Sequence, residues 1–164
     1  MRNLNYLLVL AVVVFSYSCS SEHETPKLVE KSVTIEVEMD GDYADYLVTF
    51  SVHSMLSGTS TFVAPVLDQP TELNWTQVIE QGNTYTLSFE PEVPTISATS
   101  SAPIHSLGLV FNAVHLGGET DDSFQPLSAT VNVLADGEVY RQFEYEGLPP
   151  GEVSVALTEE ITLN

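Results

Sequence analysis

The sequence contains few basic residues and a single cysteine. Lys and Arg number 4 against 23 Asp and Glu, which gives a formal net charge of −19. Because phosphate groups are neutralised by Lys and Arg, this balance excludes nucleic acid as a partner and docking on anionic lipid through a basic patch. The lone cysteine, Cys19, excludes a disulfide framework and a cysteine-rich metal site. A hydrophobic fraction of 43% is ordinary for a folded protein, so the acidity does not indicate disorder.

The sequence also lacks the motifs of the common enzyme classes. It contains no G-x-S-x-G, P-loop, G-x-G-x-x-G or H-E-x-x-H pattern. His105 and His115 would lie about 33 Å apart on one strand, too far to share a metal ion. From Ser32 onward there are 20 acids, so carboxylate pairs of the glycosidase kind arise by chance. We therefore expect a protein that is not an enzyme, with a small surface hydrolase or metal-dependent enzyme as the alternative.

A short apolar run near the N-terminus predicts export. The run of ten residues from Tyr6 to Phe15 follows Arg2, and small serines separate it from Cys19. A helix of that length cannot cross a bilayer core of about 30 Å. A positive start, a short apolar stretch and small residues after it are typical of a secretory signal peptide, here residues 1–18.

The cysteine that ends this run resembles that of the lipobox in bacterial lipoproteins, where the thiol is acylated and the leader is cut just before it. The following Ser20–Glu24 run resembles the export signals of surface lipoproteins in the Bacteroidota. The resemblance implies a palmitate-bearing Cys19, a flexible tether over residues 19–31 and anchoring in the bacterial outer membrane, exposed at the cell surface. The alternatives are a lipoprotein that faces the periplasm and a secreted protein whose cysteine has no lipid.

From Ser32 to Asn164 hydrophobicity alternates with a period of two, which is typical of half-buried strands. An Asp136-Gly137 pair between two such runs predicts a hairpin. The fold predicted for residues 32–164 is a single all-β domain, an antiparallel immunoglobulin-like β-sandwich of seven to nine strands, with a small β-barrel as the alternative. The predicted strands contain Val33–Met39, Tyr46–Val52, Phe62–Val66, Tyr85–Phe89, Leu107–Ala113, Ala129–Val133, Val139–Tyr145 and Val153–Leu157, with Ile161–Leu163 as a continuation.

Two other segments have weaker patterns. Thr76–Gln81 is the only short helix candidate, and the Ser/Thr-rich stretch 91–103 is expected to be a loop that crosses between the sheets.

The order of Trp75, Gly82, an aromatic strand and the later Asp-Gly hairpin resembles that of MmpS-type accessory lipoproteins. That resemblance implies a small sandwich with a non-enzymatic accessory or binding role.

Two acidic loops are the candidate cation sites. Calcium prefers six to eight oxygen ligands, and acidic loops at strand ends often supply them, although neither loop has the spacing of an EF-hand. Asp and Gly are also favoured in solvated turns, so we expect a domain without a cofactor, with calcium as the alternative. The candidate calcium ligands are Asp40, Asp42 and Asp45 in the first loop and Glu119, Asp121 and Asp122 in the second.

Trp75, the only tryptophan, lies in a polar stretch and is a candidate stacking platform for a sugar. The alternative is a core or half-buried side chain, which is the more common place for a lone Trp in a sandwich.

The function expected from the sequence is that of a lipid-anchored envelope protein whose sandwich binds a protein, glycan or envelope partner.

Overall fold

The computed structural model describes residues 28–80, 82–118 and 122–164, so the predicted signal peptide and Cys19 lie outside the described residues. In the described ranges the chain forms ten strands and one short 3-10 turn at Tyr43–Asp45. The part of the chain that the structure describes holds no helix long and apolar enough to span a membrane. The strands are β1 (Val33–Asp40), β2 (Tyr46–Leu56), β3 (Pro65–Gln69), β4 (Thr76–Val78), β5 (Thr84–Phe89), β6 (Thr95–Ser100), β7 (Ser106–His115), β8 (Ser128–Ala135), β9 (Glu138–Glu146) and β10 (Leu157–Thr162).

The strands form two antiparallel five-stranded sheets that pack face to face. The first sheet has the order β3-β6-β1-β8-β9 and the second has the order β10-β7-β2-β5-β4. Each sheet keeps two open edges, at β3 and β9 in the first and at β10 and β4 in the second, so the strands do not close into a barrel. The predicted antiparallel immunoglobulin-like β-sandwich is therefore confirmed, with ten strands in the described residues where the sequence predicts seven to nine.

The core lies between the two sheets because apolar residues alternate along the central strands. Val33, Ile35 and Val37 of β1 point inward from the first sheet, and Val48 and Phe50 of β2 point inward from the second. Full burial of such a side chain is worth roughly 1.5–3 kcal/mol. This burial and the backbone ladders must stabilise a domain whose acids repel one another.

The structure differs from the sequence prediction in several segments, and the third strand, predicted at Phe62–Val66, is β3 at Pro65–Gln69. Thr76–Val78, in the short helix candidate, is the edge strand β4, and β6 lies inside the stretch 91–103 that was expected to be a loop. β6 pairs with β1, and its inward residues Ile96, Ala98 and Ser100 are buried. Because two of these three side chains are small or polar, the alternation along β6 is too weak to predict a strand.

The last strand begins later than its sequence pattern indicates, at Leu157 instead of Val153. In the register of β10 with β7, Leu157 pairs with Phe111, so a longer strand would place Val155 opposite Ala113. The Tyr145 side chain already occupies that position. The Ala113 N–H donates to the Tyr145 hydroxyl at 2.9 Å, and the hydroxyl is 3.2 Å from the Ala113 carbonyl oxygen, to which it donates.

The chain enters the sandwich at the end that we call the base. Lys31 and Ile104 exchange two backbone hydrogen bonds of 2.9 Å, and the Glu30 carboxylate accepts from the Gly58 N–H at 2.6 Å. These two residues belong to the predicted flexible tether, yet they are hydrogen-bonded to the domain.

The end of the sandwich opposite the base, where β1 ends, is here called the distal end. It is formed by the connections 41–45, 70–75, 90–94, 116–118 with 122–127, and 147–156.

Candidate binding surface at the distal end

The structure brings the two predicted acidic loops together at the distal end. The Asp42 N–H donates to the Gln125 carbonyl oxygen at 2.9 Å, and the Gln125 N–H donates to the Asp42 carboxylate at 2.8 Å. The Leu116 N–H donates to the Asp45 carbonyl oxygen at 2.9 Å. The first acidic loop is therefore bonded to the two residues that flank the second, Leu116 and Gln125, and Asp122 of the second loop is exposed.

Two carboxylates of the first loop, those of Asp40 and Asp42, accept hydrogen bonds from backbone N–H groups. The Asp40 carboxylate accepts from the Gly41 N–H at 2.8 Å, while that of Asp42 accepts from Gln125. Among the described residues no group of three or more His, Cys, Asp or Glu side chains is placed to hold a metal ion. Glu119 and Asp121 of the second loop lie outside the described residues, so the calcium hypothesis depends on them.

His115 is the packing centre between these loops. Its ring makes edge contacts with Tyr46 at 5.0 Å and Phe124 at 5.3 Å between ring centroids, and its Nδ1 accepts from the Gly117 N–H at 2.9 Å. Because Nδ1 is the acceptor, the neutral ring carries its proton on Nε2, an atom that is buried without a partner. The side chain therefore joins the two loops through aromatic packing.

The other histidines of the sandwich lie elsewhere. His53 is on β2, its ring lies over Gly108 of β7, and its Nε2 is 3.6 Å from the Glu160 carboxylate. His105 precedes β7 near the base, where its N–H donates to the Leu56 carbonyl oxygen. His105 and His115 thus lie at opposite ends of β7, as their spacing in the sequence indicates, and His53 pairs with Gly108 between them.

Trp75 is packed against the core. The residue is half-buried, its ring centroid is 5.9 Å from that of Phe50 and 6.3 Å from that of Tyr85, and its indole nitrogen is buried. Trp75, the candidate stacking platform for a sugar, thus packs against the core. This is the alternative stated from the sequence.

A groove beside the acidic loops was not predicted from the sequence. Its near end, a cavity of about 150 Å³, lies between the connections 70–75 and 90–94. A second cavity of about 370 Å³ shares Pro70, Glu72 and Val93 with it, and a third of about 280 Å³ continues past Gln69 and Thr95 onto the outer face of the first sheet. We call this continuous depression the distal groove. Its near end is lined by Pro70, Glu72, Leu73, Phe89, Glu90, Glu92 and Val93.

The distal groove combines apolar walls with acids and contains no basic side chain. Glu72, Glu90 and Glu92 line its near end, and Glu36 and Glu38 line its far end on the outer face of β1. In the described ranges the basic residues are Lys31 and Arg141, and both lie by Tyr140 on the edge strand β9. β9 is at the opposite side of the first sheet from the groove. Sequence gave no signal for this groove because its lining comes from segments about 20 residues apart that have no shared motif.

No protein-family profile matches the sequence, and no curated protein matches it. Solved structures share the fold. A DUF4425 family protein from Bacteroides ovatus is 13% identical with a TM-score of 0.57, and the match covers 81% of this chain and 95% of that chain. A domain of unknown function, DUF4425, from Bacteroides vulgatus is 14% identical with a TM-score of 0.58, covering 82% and 97%. The calcium-bound form of a protein from Parabacteroides distasonis is 12% identical with a TM-score of 0.48, covering 84% and 99%. At identities this low the two DUF4425 structures show a common fold and nothing about function.

Salt should stabilise the domain, and we expect sodium and calcium to act alike at matched ionic strength. The Debye length shrinks from about 30 Å at 0.01 M to about 10 Å at 0.1 M, which screens the repulsion between the acids. We expect the melting temperature to rise by about 2–5 °C over that range. Circular dichroism melts in sodium chloride and in calcium chloride measure it.

The variants for this comparison are Asp45→Asn/Asp122→Asn, with one change in each acidic loop, and Glu80→Gln/Glu138→Gln as the matched control at the base. Under screening alone both variants respond to the two salts as the wild type does. An additional, saturating rise in calcium that disappears only in the first variant would contradict screening and show a specific site.

Proposed function

We propose that the protein is a non-enzymatic, lipid-anchored envelope protein that binds a partner with its distal end. The observation that carries this proposal is the placement of the chain and the groove at opposite ends of the sandwich. The segment that leads from Cys19 joins at the base, where Glu30 and Lys31 are bonded to the domain. A lipid on Cys19 would therefore hold the base toward the membrane and present the distal groove to the outside.

The shape of the groove supports binding over catalysis. A hydrolase that uses two carboxylates needs them to converge on a substrate held in an enclosed pocket. The distal groove is open to solvent, and Glu72, Glu90 and Glu92 at its near end are exposed. An open depression with solvated acids fits the surface of a partner molecule better than an enclosed substrate.

Lipidation is tested at the cysteine. When the full chain is expressed in a bacterial host with labelled palmitate, we expect the wild type to incorporate the label and Cys19→Ala to incorporate none, because the thiol is the acylated group. Detergent extraction of membranes from the same cells should recover the wild type and leave the variant in the soluble fraction. Equal labelling of the two proteins would contradict the anchor.

The binding function is tested by site-specific photo-crosslinking in the organism's own cells. A photoreactive residue at Val93 reports on the distal groove, and one at Ile79, which is 74% exposed in the β4–β5 connection, reports on the base. We expect a crosslinked adduct of defined mass from position 93 and none from position 79. Equal adducts at both positions, or adducts from the base alone, would overturn the proposal.

A further inference from the structure

The distal groove has the lining of a site for a peptide that is both basic and apolar. Building on the function proposed above, we propose that it binds an extended segment of a partner protein in which Lys or Arg side chains alternate with apolar ones. The cavity defines the site, and the chemistry of its walls selects the ligand.

The apolar walls are suited to hydrocarbon side chains. Pro70 is buried, Leu73 and Phe89 are half-buried and packed against the core, and Val93 is 38% exposed. Walls built on core-packed residues are rigid and remain partly open to a ligand. Lys and Arg carry long methylene stems that cover apolar surface while the charged group stays in water, so a single side chain can use both kinds of wall.

The acids of the groove complement such a ligand. Glu72, Glu90 and Glu92 surround the apolar walls without a basic neighbour in the groove. Because an isolated exposed ion pair is weak, affinity requires several pairs together with apolar burial. The acids of the far end, Glu36 and Glu38, extend the same pattern onto the outer face of β1 in the centre of the first sheet. An extended segment with basic residues at intervals can meet both groups of acids.

Other ligand classes match the walls less well. The described residues place no three metal-ligating side chains together, which disfavours a bare cation. A neutral glycan offers no charge to the glutamates, and the one aromatic ring that lines the near end of the groove, Phe89, is packed against the core. A polyamine would match the charge and leave the apolar walls unused.

The test uses an amidated, fluorescein-labelled hexapeptide of alternating lysine and valine, with anisotropy measured at low salt. We expect saturable binding to the wild type and binding at least tenfold weaker in Glu72→Gln/Glu90→Gln/Glu92→Gln. The matched control, Glu80→Gln/Glu138→Gln/Glu160→Gln, changes the net charge equally at exposed positions outside the groove and should stay within twofold. All six positions are exposed, so melting curves should show that both variants fold.

A second variant separates the apolar walls from the charge. Val93→Ser should weaken binding of the hexapeptide about threefold and leave competition by spermidine unchanged, because spermidine uses the acids alone. An equal loss in both triple variants, no saturable binding, or a hexapeptide that binds no better than spermidine would overturn the peptide assignment. In any of those cases a crosslink specific to position 93 would still support the proposed function.

Discussion

Replacing Gly41 by alanine is expected to destabilise the sandwich by about 3 kcal/mol, because two costs add at this position. The backbone φ of Gly41 is +76°, a left-handed conformation that costs a residue with a Cβ roughly 1–2 kcal/mol. A Cβ would also lie 2.5 Å from the Pro126 carbonyl oxygen and 2.9 Å from that of Gln125. Both are backbone atoms, and the hydrogen bonds between Asp42 and Gln125 keep this segment from moving away.

Gly137→Ala is the matched control for Gly41→Ala. Gly137 has a φ of +85° in the β8–β9 hairpin, and no heavy atom would lie within 4 Å of a Cβ added at this position. We expect it to cost about 1 kcal/mol, from the backbone conformation alone. Urea unfolding of the two variants then isolates the steric part. Equal losses would show that the 125–126 segment gives way, and the first acidic loop would not be held as firmly as the structure indicates.

The second large effect is expected at Tyr145. Tyr145→Phe should destabilise the protein by about 2 kcal/mol, because it leaves the Ala113 N–H and carbonyl oxygen without their partner inside the protein. Tyr140→Phe is the control, since the Tyr140 hydroxyl donates to the Thr162 carbonyl oxygen at a more exposed position and should cost less than about 1 kcal/mol. Urea unfolding measures both. Equal losses in the two variants would contradict the view that the Tyr145 hydroxyl takes the place of a neighbouring strand as the hydrogen-bond partner of Ala113.

Tyr145 also predicts how stability depends on alkaline pH. Burial raises its pKa above the usual value of 10.0, against the opposing effect of the hydrogen bond with Ala113. A raised folded-state pKa means that this contribution is present below about pH 10 and is lost as pH rises through the folded-state pKa. Burial also raises the pKa of Tyr46, so this residue adds to the same loss of stability at alkaline pH. We expect the melting temperature to fall above about pH 10, less steeply in Tyr145→Phe. Parallel curves would contradict this role.

The sandwich could be predicted from the sequence where apolar residues alternate over many positions. β1 and β2 are predicted by Val33–Met39 and Tyr46–Val52, and the Asp136-Gly137 turn predicts the β8–β9 hairpin. β6 could not be predicted because its inward face includes Ala98 and Ser100, which contribute little to a hydrophobic pattern. It is a strand because it pairs with β1 on one side and β3 on the other.

Other features depend on contacts that the sequence order does not reveal. Val153 and Val155 have the alternation of a strand, yet they are 87% and 74% exposed, because a tyrosine from β9 occupies the edge of β7 where they would pair. The acidity of the two loops could be read from the sequence, while their contact through Asp42 and Gln125 could not. The groove likewise exists only once the chain has folded, since the connections 70–75 and 90–94 meet at the ends of different strands.

The four open edges of the sheets are protected against association in two different ways. β3 begins with Pro65, which has no N–H to donate, and β4 is only three residues long, so both offer a poor template for another strand at any pH. β9 and β10 are longer, and their protection comes from acids, among them Glu138, Glu144, Glu159 and Glu160. That electrostatic protection disappears toward the isoelectric point of about 4.1. Aggregates that form in mild acid should therefore grow through β9 and β10, with β3 and β4 left outside the new contacts.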